Sequence, residues 1–213
     1  MTERTRIKFC GLTRAADLEQ AVALGVDAIG LVCVPKSRRA LSIEAAAALR
    51  QRAPAFVTCV VLLLDAEPEW VARVVHEVRP DLLQFHGRES GAYCRRFGVP
   101  YLKAIAVGTD GRLGADPGDY ADAAALMLDS HTPGALGGTG AAFDWQHVRV
   151  AAGRRWVLAG GLTPDNVARA IAGLHPYAVD VSSGIESAPG LKDSGKMAAF
   201  VAAVQRADAT SSH

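Results

Sequence analysis

The chain predicts a single-domain (β/α)8 barrel. Three observations carry this: eight short apolar runs recur at spacings of roughly 20 to 30 residues, most are followed by a segment with helical apolar spacing, and no linker or low-complexity stretch interrupts them. A length of 213 residues, 50% apolar and 21% charged, suits one sizeable core.

Ile7–Cys10 is the first strand, ended by Gly11. Thr13 can cap a helix with Asp17 in its first turns, and Ala15–Leu24 carries helical spacing up to Gly25. Asp27–Val34 is nearly continuously apolar, as expected of a parallel strand covered on both faces, and Pro35 ends it. A basic loop, Lys36-Ser37-Arg38-Arg39, leads to Ser42, a cap with Ala45 three residues on, and to the helix Ile43–Arg52. Phe56–Leu64 is the third strand, and Glu67–Val78 its helix, begun by Pro68. Leu82–His86, the helix Ser90–Phe97 and the strand Tyr101–Val107 follow; Gly108–Gly118 contains no clear long helix. Ala124–Asp129 is the sixth strand, Pro133–Gly140 a glycine-rich loop and Trp145–Ala152 a helix. Trp156–Ala159, the helix Pro164–Leu174, the strand Tyr177–Val181 and a closing helix Asp193–Ala207 complete the pattern, with a small, polar, frayed tail at 208–213.

Several function classes fall away. Net charge is +1 with scattered basic residues, so no footprint for nucleic acid appears, and no apolar run reaches the length of a membrane span. Any anionic ligand must be held by local groups, and the expected partner is a small molecule, bound by a monomer or homodimer. Cys10, Cys33, Cys59 and Cys94 lack zinc-site spacing and read as reduced thiols of a cytoplasmic protein. No metal or other cofactor is called for.

In such a barrel the reactive residues should gather at the carboxyl ends of the strands. Cys10 ends strand one, Arg39 follows strand two, Gln84 and His86 end strand four, and Asp129 ends strand six. Gly160-Gly161-Leu162 follows strand seven and Asp180-Val181-Ser182-Ser183-Gly184 follows strand eight. Those last two loops are where this fold commonly binds phosphate, through backbone N–H groups and a short helix. A lone strand-end cysteine is more often a packed hydrophobe than a catalyst. His86 could hydrogen-bond in the pocket or simply cap the barrel, Asp180 reads as pairing inside the barrel or fixing the phosphate loop, Asp144 and Asn166 as helix caps, and Trp145 and Trp156 as packing.

The motifs Lys8-Phe9-Cys10-Gly11-Leu12-Thr13, Pro35-Lys36-Ser37 through Arg39, Gln84-Phe85-His86-Gly87, Leu128-Asp129-Ser130 with Gly137-Gly138-Thr139-Gly140 and Phe143-Asp144-Trp145, Gly160-Gly161-Leu162 with Pro164 and Asn166-Val167, and Asp180 to Glu186 through Pro189-Gly190 to Lys192-Asp193 occur in one order from residue 8 to residue 193. In this the chain resembles phosphoribosylanthranilate isomerase of tryptophan biosynthesis. It departs at the end of strand three, Val60 to Asp65, where the family more often has Gly-Val-Phe-Val-Asn, and at Cys33-Val34, in place of a more aromatic pair.

The resemblance implies an Amadori rearrangement of an aminoaldose to an aminoketose, with Cys10 as base, Asp129 as acid and Arg39, rather than Arg38, on the anthranilate carboxylate. His86, Gly160, Gly161, Asp180, Ser182, Ser183 and Gly184 complete the expected substrate site. A free thiol titrates near 8.5 and a free aspartate near 3.9, so both must be shifted for these roles. Lys8, on the same strand face as Cys10, is placed to favour the thiolate, and burial would raise Asp129. A metal-dependent pentose-phosphate epimerase would need paired histidines and carboxylates at strand ends, where only His86 qualifies. The related isomerase of histidine biosynthesis would carry an aspartate in place of Cys10. A barrel that merely binds phosphoribosyl compounds would not need both an acid and a base.

Overall fold

Parallel strands that cannot leave an apolar face in water either stack between helix layers or close on themselves; this chain closes. The computed structural model describes residues 4–108, 110–129 and 155–211. Its strands β1 (Arg6–Cys10), β2 (Ala28–Val32), β3 (Thr58–Leu63), β4 (Leu82–Phe85), β5 (Tyr101–Ala106), β6 (Ala125–Asp129), β7 (Trp156–Leu158) and β8 (Ala178–Val181) form a closed barrel in chain order. The seam pairs β1 with β8, Lys8 opposite Asp180. Around it lie α1 (Ala15–Ala23), α2 (Ile43–Arg52), α3 (Pro68–Val78), the single turn α4 (Gly91–Cys94), α5 (Val167–Leu174) and α6 (Ser194–Ser211). A small antiparallel hairpin, β9 (Glu186–Ala188) with β10 (Leu191–Lys192), precedes α6. Among the described residues no helix is long and apolar enough to cross a membrane.

Alternation along each strand sorts the core into layers. Ile7, Phe9, Ile29, Leu31, Leu83 and Phe85 join the helices in one continuous cluster, while Val60, Leu102, Ala104, Met127, Val157 and Ala178 form the cluster that fills the interior. A third, small group at the mouth contains Cys10, Val32 and Val34, flanked by Leu62 and Leu64.

The order of elements follows the sequence, and Ser42 caps α2 by accepting from the Ala45 N–H at 3.2 Å. Several details differ. Thr13 does not cap α1; its hydroxyl donates to the Gly190 carbonyl, because the β9–β10 hairpin folds back over this loop and supplies a long-range acceptor. Asn166 likewise makes no cap: its Oδ1 accepts from the Thr163 N–H at 2.8 Å and its Nδ2 donates to the Gly161 carbonyl at 2.9 Å, tying the loop after β7. Phe56 lies outside β3 and is fully exposed. The segment expected as one helix at Ser90–Phe97 is α4 followed by a 3-10 turn, Arg95–Phe97. Gly108–Gly118 forms no long helix where it is described, and a 3-10 turn follows at Pro117–Tyr120. The tail is not frayed where α6 extends through residues 208–211: the Asp208 carboxylate accepts from the Thr5 N–H at 2.9 Å and the Thr5 hydroxyl at 2.7 Å. The Pro133–Gly140 loop, the Trp145–Ala152 helix and the motif residues Ser130 and 143–145 lie outside the described residues.

Cys33, Cys59 and Cys94 are buried, and burial pushes all three thiols up to about 12. Unfolded thiols ionise near 8.5, so above that pH the unfolded chain has lost protons that the folded chain still holds. Their contribution to stability is therefore complete below about pH 8.5 and is lost as pH rises towards about 12. Urea midpoints should fall across that window, and the fall should be smaller in Cys59→Ala.

Candidate active site

At the carboxyl ends of the strands a pocket of about 750 Å³, partly open to solvent, is lined by Cys10, Arg39, Gln84, His86, Asp129, Gly160, Gly161, Asp180, Ser182 and Ser183. The structure thus brings together nine of the ten residues expected to form it, from six different strands or the loops after them. The tenth, Gly184, does not line the pocket. It packs beneath: a Cβ there would lie 1.9 Å from the Leu162 carbonyl oxygen, so only glycine lets the loops after β7 and β8 touch. Val32, Val34, Leu62 and Leu64 supply an apolar wall, so the atypical ends of strands two and three form a surface suited to a flat apolar ring.

Gly160 and Gly161 take φ of 87° and 64°, a region that side chains rarely adopt, and Ser183–Ile185 begins a 3-10 turn directly after β8. Ser182 Oγ is buried without a partner beside them.

Cys10 sits over a charged floor. Gly30, opposite it on β2, leaves the space: a Cβ there would be 2.9 Å from Cys10 Sγ and 3.1 Å from Lys8 Nζ. Lys8 Nζ donates to Asp180 Oδ1 at 2.7 Å with both groups buried. Lys8 does favour the thiolate, as its place on the strand predicts, but the net shift of Cys10 runs the other way. Burial raises Cys10 above the ordinary thiol value and Asp180 raises it further, outweighing the opposing pull of Lys8 and Lys192. Asp180 takes Lys8 as its counter-ion, so the ammonium is shared between a carboxylate and the thiol.

Beside this floor lies a second network that sequence reasoning missed. Arg39 Nε and Nη2 donate to the two oxygens of Glu186, each at 2.7 Å, and Lys192 Nζ donates to Glu186 Oε1 at 2.9 Å and to the Ser182 carbonyl at 3.0 Å. Burial alone would raise the Glu186 carboxyl, but these two cations hold it below its ordinary value. Arg39 spans the Gly11 turn, where a Cβ would meet its Cδ at 2.4 Å. Glu186 takes one edge of the guanidinium, which leaves further N–H donors for a ligand. Arg38, its neighbour, is exposed and outside the pocket. A similar buried pair, Lys103 Nζ to Glu89 Oε2 at 3.0 Å, lies behind the loop after β4. Glu186 and Lys192 fall inside the quoted motifs, and Lys103 interrupts an apolar strand; a charge inside an apolar run was the available signal.

On the far side, His86 Nε2 is 3.4 Å from Asp129 Oδ2, and Gln84 Nε2 is 3.1 Å from His86 Nδ1.

A closed parallel barrel with a thiol, a carboxylate and two glycine loops around one pocket is the architecture of a barrel enzyme that handles a small molecule at its strand ends. The family model for N-(5'-phosphoribosyl)anthranilate (PRA) isomerase matches residues 7–203, and the chain belongs to that family. It is 48% identical over 211 residues to N-(5'-phosphoribosyl)anthranilate isomerase of Xanthomonas euvesicatoria pv. vesicatoria, covering 96% of this chain and 95% of the relative. The crystal structure of phosphoribosyl anthranilate isomerase from Thermus thermophilus superposes with a TM-score of 0.84 at 38% identity, over 95% of this chain and 99% of that one. A phosphoribosyl anthranilate isomerase in complex with reduced 1-(o-carboxyphenylamino)-1-deoxyribulose 5-phosphate superposes with a TM-score of 0.77 at 32% identity, over 95% and 99%.

Proposed function

We propose that this isomerase converts N-(5-phosphoribosyl)anthranilate to 1-(2-carboxyphenylamino)-1-deoxyribulose 5-phosphate, with Asp129 as general acid and Cys10 as general base. The observation that carries the reading is the placement of both groups on one pocket between the glycine loops and Arg39. The phosphate rests against the backbone of Gly160, Gly161 and Ser183, whose N–H groups suit an anion. The free edge of Arg39 takes the anthranilate carboxylate, and the ring lies on Val32, Val34, Leu62 and Leu64. Asp129 gives its proton to the furanose ring oxygen as the C1′–O bond breaks, leaving a Schiff base. The Cys10 thiolate then removes the C2′ proton, and the C–H electron pair forms the enolamine, which relaxes to the ketone.

Incubating the protein with the substrate and a metal chelator should abolish anthranilate fluorescence at a catalysed rate. A folded sample with no turnover overturns the reading. A second measurement tests the orientation: Arg39→Ala should weaken substrate binding by roughly 1.5 to 3 kcal/mol, the value of a charge-assisted contact, while Arg38→Ala leaves it near the parent. Equal losses would remove the carboxylate from Arg39.

A further inference from the structure

The acid reading leaves Gln84 unexplained. It is fully buried at the end of β4, in contact with the barrel interior, where an apolar side chain would be the ordinary choice. Its amide Nε2 lies 3.2 Å from Met127 Sδ and 3.1 Å from His86 Nδ1, while its Oε1 is buried without a partner. The sulfur selects this orientation. A thioether accepts a hydrogen bond weakly and donates none, so turning the amide over would set its carbonyl against an atom with no proton to offer. The two amide hydrogens therefore face Sδ and Nδ1. A nitrogen that accepts cannot carry the ring proton, so in the neutral imidazole that proton is on Nε2. Nε2 is the atom that faces Asp129 Oδ2, 3.4 Å away. Catalytic hydrogen bonds often tighten only in the reacting complex.

The backbone of His86 is also pinned on both sides. Its N–H donates to the Leu63 carbonyl at 2.9 Å, and the next carbonyl, that of Gly87, accepts from Lys103 Nζ at 2.6 Å. Glu89, paired with that lysine, takes the Gly87 N–H at 2.9 Å. The ring is thus held in place by the loop and in one tautomer by Gln84.

We propose that Gln84 and His86 are positioning residues for the acid: Gln84 holds His86 as the Nε2–H tautomer, and that N–H donates to the Asp129 carboxylate left when its proton has gone to the substrate. No proton leaves His86; the imidazole steadies the charge that appears on Asp129 and fixes which oxygen faces the sugar. This rests on the reading of Asp129 as the acid. It also places His86 with the catalytic carboxylate instead of with substrate recognition, and explains a buried carbonyl without a partner as the consequence of a fixed tautomer.

Two measurements test it. Heteronuclear NMR of the imidazole nitrogens in the parent protein, at a pH where His86 is neutral, should show the proton on Nε2; a proton on Nδ1 overturns the proposal without any substitution. Kinetically, His86→Ala and the near-isosteric Gln84→Met should each lower kcat by about tenfold or more with KM within about twofold. In the double variant kcat should fall no further than in His86→Ala, because Gln84 acts only through the histidine. Gln84→Met should leave the thermal midpoint unchanged or raised, since it removes a buried carbonyl that lacks a partner. Independent, multiplying losses, or losses confined to KM, overturn the proposal. Should Asp129→Asn keep full turnover, the acid reading fails and takes the proposal with it; multiplying losses alongside an inactive Asp129→Asn defeat the positioning role alone.

Discussion

Cys10→Ala and Asp129→Asn should each lower kcat by about 10² to 10⁴, the usual worth of one proton-transfer group, while binding of a product analogue stays near the parent value. Both side chains are small and nearly buried at the mouth, so neither substitution opens a large cavity. Cys10→Ser should fail as well, because a hydroxyl is a far weaker acid than a thiol and supplies almost no anionic base. The raised thiol adds a signature. Burial first, and Asp180 next, hold Cys10 above the ordinary thiol range against Lys8 and Lys192, so at neutral pH the thiolate is the minor form. Below the thiol pKa each pH unit changes the thiolate fraction about tenfold, so turnover limited by proton abstraction should climb with pH through neutrality and beyond about 8.5. A Cys10→Ser variant with most of its activity, or a rate flat between pH 6 and 9, would return Cys10 to the rank of a packed core residue.

The second large effect is on stability. Asp180→Ala leaves the Lys8 ammonium, 4% exposed, with its nearest carboxylate gone, and breaking a buried pair by removing one partner typically costs about 3 to 5 kcal/mol. Lys8→Met should cost similarly by stranding Asp180. The double variant Lys8→Met with Asp180→Leu should recover most of that loss, since apolar groups of similar volume often replace an ion pair without net cost. Urea unfolding of the four proteins measures this cycle. Single variants within about 1 kcal/mol of the parent would show that the pair is already solvated in the folded state. Activity should not return in the double variant, because the floor under Cys10 will have lost its charges.

Local signals were legible and distant ones were not. Ser42 with Ala45, Pro68 opening α3, and the apolar runs of β2 and β6 are settled by neighbours in the chain, and each stands where the sequence places it, to within a residue or two at the ends. Cys10, Asp129 and the glycine loops were readable because a barrel assigns strand ends to a common mouth. What could not be read is pairing across the chain. Thr13 has a local use as a cap and a distant one at Gly190, and nothing in the surrounding residues says that the distant one wins. Arg39 with Glu186 spans 147 positions, Lys8 with Asp180 spans 172, and no periodicity encodes either. The hairpin that carries Glu186 and Lys192 has strands of three and two residues, too short for alternation to register. The net direction of the Cys10 shift was inaccessible for a related reason, since it depends first on how deeply the closed barrel buries the thiol and then on Asp180 across the seam.

That seam bears on when the protein becomes an enzyme during its synthesis. Cys10 leaves the ribosome well before the rest of its surroundings: the carboxylate that pairs with Lys8, the Ser182 and Ser183 loop, and the Glu186 and Lys192 pair that holds Arg39 all follow more than 160 positions later. At about 5 to 20 residues per second, the thiol waits on the order of ten seconds or more for its surroundings. Until β8 docks against β1, Lys8 remains hydrated and the pocket lacks the wall that Ser182 and Ser183 supply. A chain halted short of Asp180 therefore has Cys10 but no closed pocket around it, and catalysis begins only once the barrel has closed.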